Sequence, residues 1–324
     1  FTVMSYNDDA QWNLVSWHPS TPMVLDVLAL QYLYGKNYST NTGNNTYYLQ
    51  NDGVYRTIWD ASGTDTVSVT NENSGWTIYL PNIQISSLVD TKIGSARPTD
   101  LYNGTIPTTA IWLTGDIENA IGGAYNDKIT GSSLNNVIDG KGGIDTVYFH
   151  GSLPLYKISI INNTTISVSD NNAGIDGVDT LNNIERLAFT DINVAYDING
   201  DAGEAYRVYQ AAFDRKPDAG GLGYWIAQLD KGASLHSIAD GFISSAEFKS
   251  LYGSSPTNAA FVDALYKNVL HRAGEQGGVN YWNGVLNAGG SRADVLAGFS
   301  ESPENQSGVI GSIQNGIHYT EFVG

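Results

Sequence analysis

At 324 residues, with 41% hydrophobic side chains, the chain is long enough to fold into two or three domains with cores of their own. Its 16 Lys plus Arg against 33 Asp plus Glu leave a formal charge of −17, which repels phosphate backbones and excludes nucleic acid as a natural partner. The same acidity suits divalent cations, or simply keeps an exported protein soluble, and the absence of cysteine excludes thiolate zinc sites, disulfide scaffolds and cysteine nucleophiles.

No apolar run reaches the roughly 18 to 20 residues that a membrane span needs, and no cleavable signal peptide opens the chain. Phe1 to Tyr6 reads like the middle of a domain, so Phe1 is not expected to be the gene's start. The first predicted element is a helix over 20–35. Ser20-Thr21 would cap it, Pro22 suits its first turn, Gly35 stops it, and Leu25, Leu28, Ala29 and Tyr32 share one face for packing.

From residue 38 to about 195 short β-prone runs alternate with Asn, Asp and Gly turns. Tyr55–Trp59, Thr66–Val69, Thr77–Leu80, Ile158–Ile161 and Ile166–Val168 are predicted strands. Within this region, residues 122–148 form three nine-residue units beginning at Gly122, Gly131 and Gly140. Each approximates G-G-x-G-x-D-x-U-x, the repeat of the calcium-binding parallel β-roll, in which U is a large apolar residue. Glycine lets the loop turn tightly and aim carbonyl oxygens inward, and the aspartate supplies the hard oxygen that calcium prefers.

Ile129, Ile138 and Val147 are expected to point into the roll. Two units make one coil, so loops on one side stack every 18 residues and bring Asp127 to Asp145 and Glu118 to Asn136. That suffices for about two calcium ions, one on each edge. Three positions depart from the repeat: Tyr125 and Leu134 stand where glycine is usual, and Asn136 replaces an aspartate. A Gly/Asn-rich loop without metal is the alternative.

Several segments resemble serralysin-type metalloproteases, secreted zinc enzymes of the metzincin group whose C-terminal β-roll binds calcium. Met4-Ser5-Tyr6 resembles their Met-turn, and Pro22 to Gly35 resembles the last helix of their catalytic domain. Ile58 to Thr66 is similar to a calcium loop at the start of their roll, and Ile117 to Gly123 to the segment leading into the repeats.

The resemblance implies three calcium groupings. Asn41, Gly43 and Asn45 would join Asp60, Ser62, Gly63 and Asp65 around one ion. Asp116 and Glu118 would face the loop ending in Asn136, and Gly123, Tyr125 (through its carbonyl) and Asp127 would face Gly140, Gly142 and Asp145. It also makes Tyr6 a zinc ligand, should a catalytic half precede it. The catalytic motif H-E-x-x-H-x-x-G-x-x-H does not occur in these 324 residues. Their histidines, His18, His150, His236, His271 and His318, have the wrong spacing and read as surface or packing residues.

Residues 151–195 resemble a β segment that follows short repeat-in-toxin rolls, on the strength of Gly177 to Leu181 and Ile184 to Leu187. Asp197, Asn199 and Asp201 then alternate ahead of Glu204, a spacing that folds around calcium in an EF-hand loop or serves as an Asx-rich helix cap. The last part is predicted helical and contains a repeat at a constant offset of 57, which relates Tyr209 to Tyr266, Arg215 to Arg272, Tyr224-Trp225 to Tyr281-Trp282 and Glu247 to Glu304. It resembles an uncharacterised domain near the ends of secreted bacterial repeat-in-toxin proteins. Trp225 and Trp282 read as core aromatics or as a ligand platform. Glu321-Phe322-Val323 resembles the acidic-then-apolar ending of type I secretion substrates.

The expected architecture is therefore a multidomain α+β protein: a catalytic-domain remnant over 1–37, a calcium-binding parallel β-roll or β-sandwich over 38–150, a β-rich extension over 151–196, and an all-α tandem over 197–324. The expected function is that of a secreted, calcium-binding bacterial protein, exported by type I secretion from a Gram-negative cell, whose helical tandem meets a protein or cell-surface partner. The distal part of an active zinc endopeptidase and a calcium-dependent surface-layer or matrix protein are the alternatives.

Overall fold

The computed structural model describes residues 19–102, 104, 106–171 and 174–322, and the chain divides into two compact units, Phe1–Asp191 and Ile192–Gly324. It is a multidomain α+β protein, with a β-rich first unit and a helical second one. Helix, roll and residues 151–191 of the extension lie in the first unit, and residues 192–196 lie in the second.

In the first unit, α1 (Val24–Tyr34) precedes β1 (Thr46–Tyr48), β2 (Tyr55–Trp59), β3 (Thr66–Ser68), β4 (Trp76–Ile83), β5 (Ile93–Pro98), β6 (Leu101–Tyr102), β7 (Ile106–Pro107) and β8 (Ala110–Thr114). The repeat region supplies β9 (Asn119–Ile121), β10 (Lys128–Thr130), β11 (Val137–Asp139) and β12 (Thr146–Tyr148), each strand nine residues after the last. The extension adds β13 (Tyr156–Asn162), β14 (Thr165–Asp170), β15 (Val178–Asn182) and β16 (Arg186–Ala188).

Successive repeat strands alternate between two sheets, one ordered β1-β3-β9-β11-β15-β14-β13 and the other, within this unit, β16-β12-β10-β4-β5-β8-β2. β9 pairs parallel with β11, and β10 with β12, each at a register of 18 residues. The period of two along each strand turns one side chain of every triplet inward. Val67, Ala120, Ile138 and Leu181 from one sheet and Ile78, Ile129, Val147 and Leu187 from the other are each 0 or 1% exposed.

After β12 the antiparallel hairpin β13–β14 interrupts the roll, and β15 and β16 then resume it, stacked on β11 and β12. Buried Asp176 anchors that insertion: it accepts from the backbone N–H of His150 (3.0 Å) and from the Tyr156 hydroxyl, and it faces the His150 ring, whose pKa it raises. Phe149 stacks on Phe189 at 4.9 Å across the point where the roll restarts.

Helix α1 buries a different face from the expected one. Val24, Asp26, Leu28 and Gln31 are buried, whereas Leu25, Ala29 and Tyr32 are exposed. Hydrogen bonding decides the rotation. Asp26 accepts from the Met23 N–H at 2.9 Å and starts the helix, and Gln31 accepts from the Thr91 hydroxyl at 2.7 Å. Ser20 and Thr21 bond to β2 (Ser20 N–H to Tyr55 O, Thr57 N–H to the Thr21 hydroxyl) and so do not cap the helix.

The second unit consists of β17 (Asn193–Ala195), α2 (Asp201–Phe213), α3 (Ala219–Asp230), α4 (Leu235–Ser244), α5 (Ala246–Tyr252), α6 (Asn258–Asn268), α7 (Gln276–Asn287), α8 (Arg292–Ser300), α9 (Pro303–Ile313) and β18 (Ile317–Tyr319), with β17 and β18 antiparallel. The offset of 57 is kept in space: α2–α5 correspond to α6–α9, and Ser234, Ser245, Ser291 and Ser302 cap α4, α5, α8 and α9. The ion pair Arg215–Glu247 recurs as Arg272–Glu304. Trp225 covers Gly241 and Trp282 covers Gly298, where a Cβ would meet the ring at 3.2 and 2.7 Å.

Both tryptophans are half-buried against the core, while Tyr224 and Tyr281 are exposed, because helix neighbours point about 100° apart. Phe242→Ala or Phe299→Ala in the full chain should cost about 3 to 5 kcal/mol, since both rings are buried in this core, whereas Tyr281→Ala should stay within about 0.5 kcal/mol. Thermal melts of the helical transition check both; equal losses at Phe299 and Tyr281 would contradict the packing described.

Candidate metal centre

Ahead of most stacked strands, or at the start of one (Asp179 in β15), stands a residue with a side-chain oxygen, and the parallel register piles these residues into two ladders. The first contains Asn45, Asp65, Glu118, Asn136 and Asp179. The Asn45 N–H donates to Asp65 Oδ1 (2.7 Å), the Asp65 N–H to Glu118 Oε2 (2.7 Å) and the Asn136 N–H to Asp179 Oδ1 (2.9 Å). The second ladder contains Asp127, Asp145 and Glu185. Here the Trp76 N–H donates to Asp127 Oδ1 (2.6 Å), the Asp127 N–H to Asp145 Oδ1 (2.8 Å) and the Asp145 N–H to Glu185 Oε2 (2.9 Å).

One oxygen of each carboxylate thus holds the backbone of the preceding coil. The second oxygen distinguishes the rungs. Asp127 Oδ2 accepts from the Gly123 N–H at 2.7 Å. Asp65 Oδ2 and Asp145 Oδ2 are buried with no hydrogen-bond partner. Burial raises Asp65 to about 6, with the Asp60 and Glu118 charges adding to it, and raises Asp145 to about 8, with Asp127, Glu185 and Asp139 adding. Burial also raises Asp179 to about 8 and lifts Asp127, Glu118 and Glu185 above the usual carboxylate range.

Each expected grouping can be placed. In the first, Asn45 Nδ2 donates to Gly43 O (2.8 Å), the Gly43 N–H to Ser62 O (2.8 Å) and the Ser62 N–H to Asp60 Oδ1 (2.9 Å). Asp60 and Asp65 are buried, and the Tyr47 hydroxyl also donates to Asp60. At Gly63 (φ +147°) a Cβ would lie 2.2 Å from Gly43 O and 2.9 Å from Asp65 Oδ2, so only glycine leaves that space open. Asn41 stands aside, its amide donating to Trp59 O at 2.7 Å.

In the second grouping, Asn136 satisfies itself. Its Oδ1 accepts from the Ser132 N–H (2.7 Å) and its Nδ2 donates to Glu118 O (2.7 Å), placing a neutral amide between the coils, while Asp116 is exposed. In the third, Asp127 and Asp145 are buried together, the Gly142 N–H donates to Gly123 O (3.0 Å), and a Cβ on Gly140 would sit 2.3 Å from Asp145 Oδ2. The Tyr125 ring is exposed, leaving only its backbone for the loop.

Asp197 Oδ2 accepts from the Ala202 N–H (3.0 Å) at the start of α2, as a helix cap does. Asn199 is exposed, and the twelfth position of an EF-hand loop starting at Asp197 is the buried Val208, which has no oxygen to offer. Tyr6 lies outside the described residues. Among the described residues no three His, Asp or Glu side chains gather as a metal cluster, so ions at these loops would rely on carbonyl oxygens beside paired carboxylates.

Asp179 and Glu185 were not expected at the site, because the hairpin separates them from the nine-residue spacing. A local signal was present: Asp179-Thr180-Leu181 and Glu185-Arg186-Leu187 repeat the order acid, any residue, inward apolar seen at Asp127-Lys128-Ile129 and Asp145-Thr146-Val147.

The profile of a family described as a domain of unknown function, DUF4214, matches residues 204–251 and 239–309. The chain is 31% identical over 142 residues to serralysin of Proteus mirabilis, covering 43% of this chain and 28% of that protein. It is 28% identical over 157 residues to metallopeptidase AprA of Pseudomonas marginalis (43% and 30%) and 29% identical over 154 residues to serralysin G of Dickeya chrysanthemi (43% and 29%). The chain thus spans under a third of the length of these curated relatives.

The raised carboxylates imply a pH dependence of the ion-free chain. Asp65 and Asp145 bind protons more tightly folded (about 6 and about 8) than in an unfolded chain near 3.8, so the native state holds the extra protons. In chelator, stability should therefore fall as pH rises from about 4 through about 8, and Asp145→Asn should flatten the upper part of that fall. Urea midpoints across this range test it; stability rising with pH in chelator would contradict the assignment.

Proposed function

We propose that the first unit is a calcium-folded β-roll from an exported, serralysin-like protein and that the helical tandem presents a binding surface to a protein or cell-surface partner. The observation that carries this reading is the pair of buried carboxylate oxygens without a partner, Asp65 Oδ2 and Asp145 Oδ2, each facing space that a glycine keeps open. A hard dication supplies there the positive charge that such oxygens lack. Asp60, Asp65 and Asn45, with the carbonyls of Gly43 and Gly63, would hold one ion. Asp127 and Asp145, with the carbonyls of the 123–125 and 140–142 loops, would hold another. Asn136, with its amide bonded to both coils, would hold its rung together without an ion. Similarity to serralysins and a fold without a membrane-spanning helix among the described residues support the extracellular setting.

A second reading, the distal part of an active zinc endopeptidase, is favoured by the metalloprotease names of the relatives and by α1. That helix exposes Leu25, Leu30, Leu33 and Tyr34, an apolar strip of the kind covered by further protein. An in-frame H-E-x-x-H-x-x-G-x-x-H upstream of Phe1, with Tyr6 completing its zinc set, would establish that reading.

Calcium should raise the melting temperature of the first unit and restore β signal lost in chelator, since an ion that binds only the folded state stabilises it by mass action. Circular dichroism and calorimetry measure both, and identical melts with chelator and with calcium would sink the proposal. Asp127→Ala and Asp145→Ala should each remove the same calorimetric site, and the double variant little more. Asn136→Asp, by replacing the bridging amide with a carboxylate, should make the chain less stable in chelator and add a calcium site.

A further inference from the structure

The outer face of the second sheet carries a pattern unlike the rest of this acidic chain. The register aligns Thr146, Lys128, Thr77 and Arg97 in one row across β12, β10, β4 and β5. In the adjoining row lie Tyr148, Thr130, Tyr79, Ser95 and, on β8, Trp112. The two cations therefore sit two strands apart, and so do successive aromatic rings, a distance of about 10 Å at an inter-strand spacing of ~4.8 Å. Hydroxyl side chains fill the strands between. Arg186 extends the first row but is buried and so is not available.

Thr77, Tyr79, Arg97, Lys128, Thr130 and Tyr148 line a groove of about 440 Å³. Through Tyr79 and Thr130 it adjoins a second hollow of about 330 Å³ reaching Trp112 and His150. No Asp or Glu lines either one. Arg56, Lys141, Arg207, Arg215 and Arg272 are spent on ion pairs, whereas among the described residues Arg97 and Lys128 have no acidic partner.

Two unpaired cations at one groove of a chain with charge −17 select an anion by charge complementarity. The interleaved rings and hydroxyls indicate its kind. We propose that this face binds an anionic polysaccharide, with uronate carboxylates held by Arg97 and Lys128, sugar ring faces laid on Tyr79 and Tyr148, and sugar hydroxyls bonded to Thr77 and Thr130. Aromatic side chains suit such an amphipathic ligand because they offer a broad apolar surface beside polar groups. A nucleic-acid strand is disfavoured, since it carries one phosphate per nucleotide and two cations do not offset the repulsion of the whole chain. An extended peptide would need an open sheet edge, and these strands are interior to the sheet.

The inference rests on the sheet register and not on calcium, so the two readings fail separately. The full chain, with calcium in excess and its fold verified by circular dichroism, is titrated calorimetrically with soluble oligogalacturonates. Binding is expected, weakened by salt, with neutral dextran oligomers not bound. The Arg97→Gln/Lys128→Gln variant should lose affinity at least tenfold while melting as the parent does, because Lys128 is exposed, Arg97 is only half-buried, and neither has an acidic partner among the described residues. Tyr79→Ser should lose affinity at unchanged salt dependence. No binding by a parent that still takes up calcium, equal affinity in the double variant, equal binding of dextran, or tighter binding of a single-stranded oligonucleotide would each overturn the proposal.

Discussion

In every carboxylate rung of the roll, a side-chain oxygen accepts from a backbone N–H of the neighbouring coil; the Asn136 rung differs, its amide donating to Glu118 O. Asp65, Glu118, Asp127, Asp145, Asp179 and Glu185 all accept in this way, so the turns of the roll are held by carboxylates where a sheet edge would otherwise leave donors unmet. Charge-assisted bonds of this type contribute about 1.5 to 3 kcal/mol each. The same stacking sets like charges one strand spacing apart, which at ~4.8 Å and an effective dielectric of about 20 costs roughly 3 kcal/mol per pair. The two terms are of equal size. The carboxylates can therefore organise the loops without stabilising them, and whatever else occupies the rungs decides the balance.

Three solutions to that balance occur along the ladders. Asp127 turns its second oxygen to the Gly123 N–H. Asn136 gives up the charge, and its amide bridges Ser132 and Glu118. Asp65 and Asp145 keep a carboxyl group and leave an oxygen unmet, so in the absence of a cation both hold a proton to higher pH than an ordinary aspartate. A dication favours the ionised form instead, which couples folding to the ion and reverses the pH dependence at the same residues.

Among the described residues the second unit is built on no such ladder, and its buried charge, Arg207, is paired with Glu301 at the end of α8 (2.6 Å). Its repeats bury Phe242 and Phe299 under half-buried tryptophans that rest on Gly241 and Gly298, and surface Arg–Glu pairs only decorate the result. A hydrophobic core of this size is independent of ions, so chelator should act on the first unit and spare the second.

Periodicity made much of the protein legible. Nine-residue spacing located the strands of the roll, its inward residues Ile129, Ile138 and Val147, and the juxtaposition of Asp127 with Asp145. The offset of 57 located the helical tandem. These features repeat because identical local geometry recurs, and recurrence shows in one dimension. Tertiary structure decided the rest. The face that α1 buries follows from Asp26 and Gln31 finding partners, not from its apolar spacing. The entry of Asp179 and Glu185 into the ladders follows from a hairpin that shifts their number along the chain but leaves their place in the stack unchanged. The row of Lys128 and Arg97 exists only once β4, β5 and β10 lie side by side. Sequence spacing reports what is near along the chain, whereas sheet register joins residues with no fixed separation, and that register is set by the packed core.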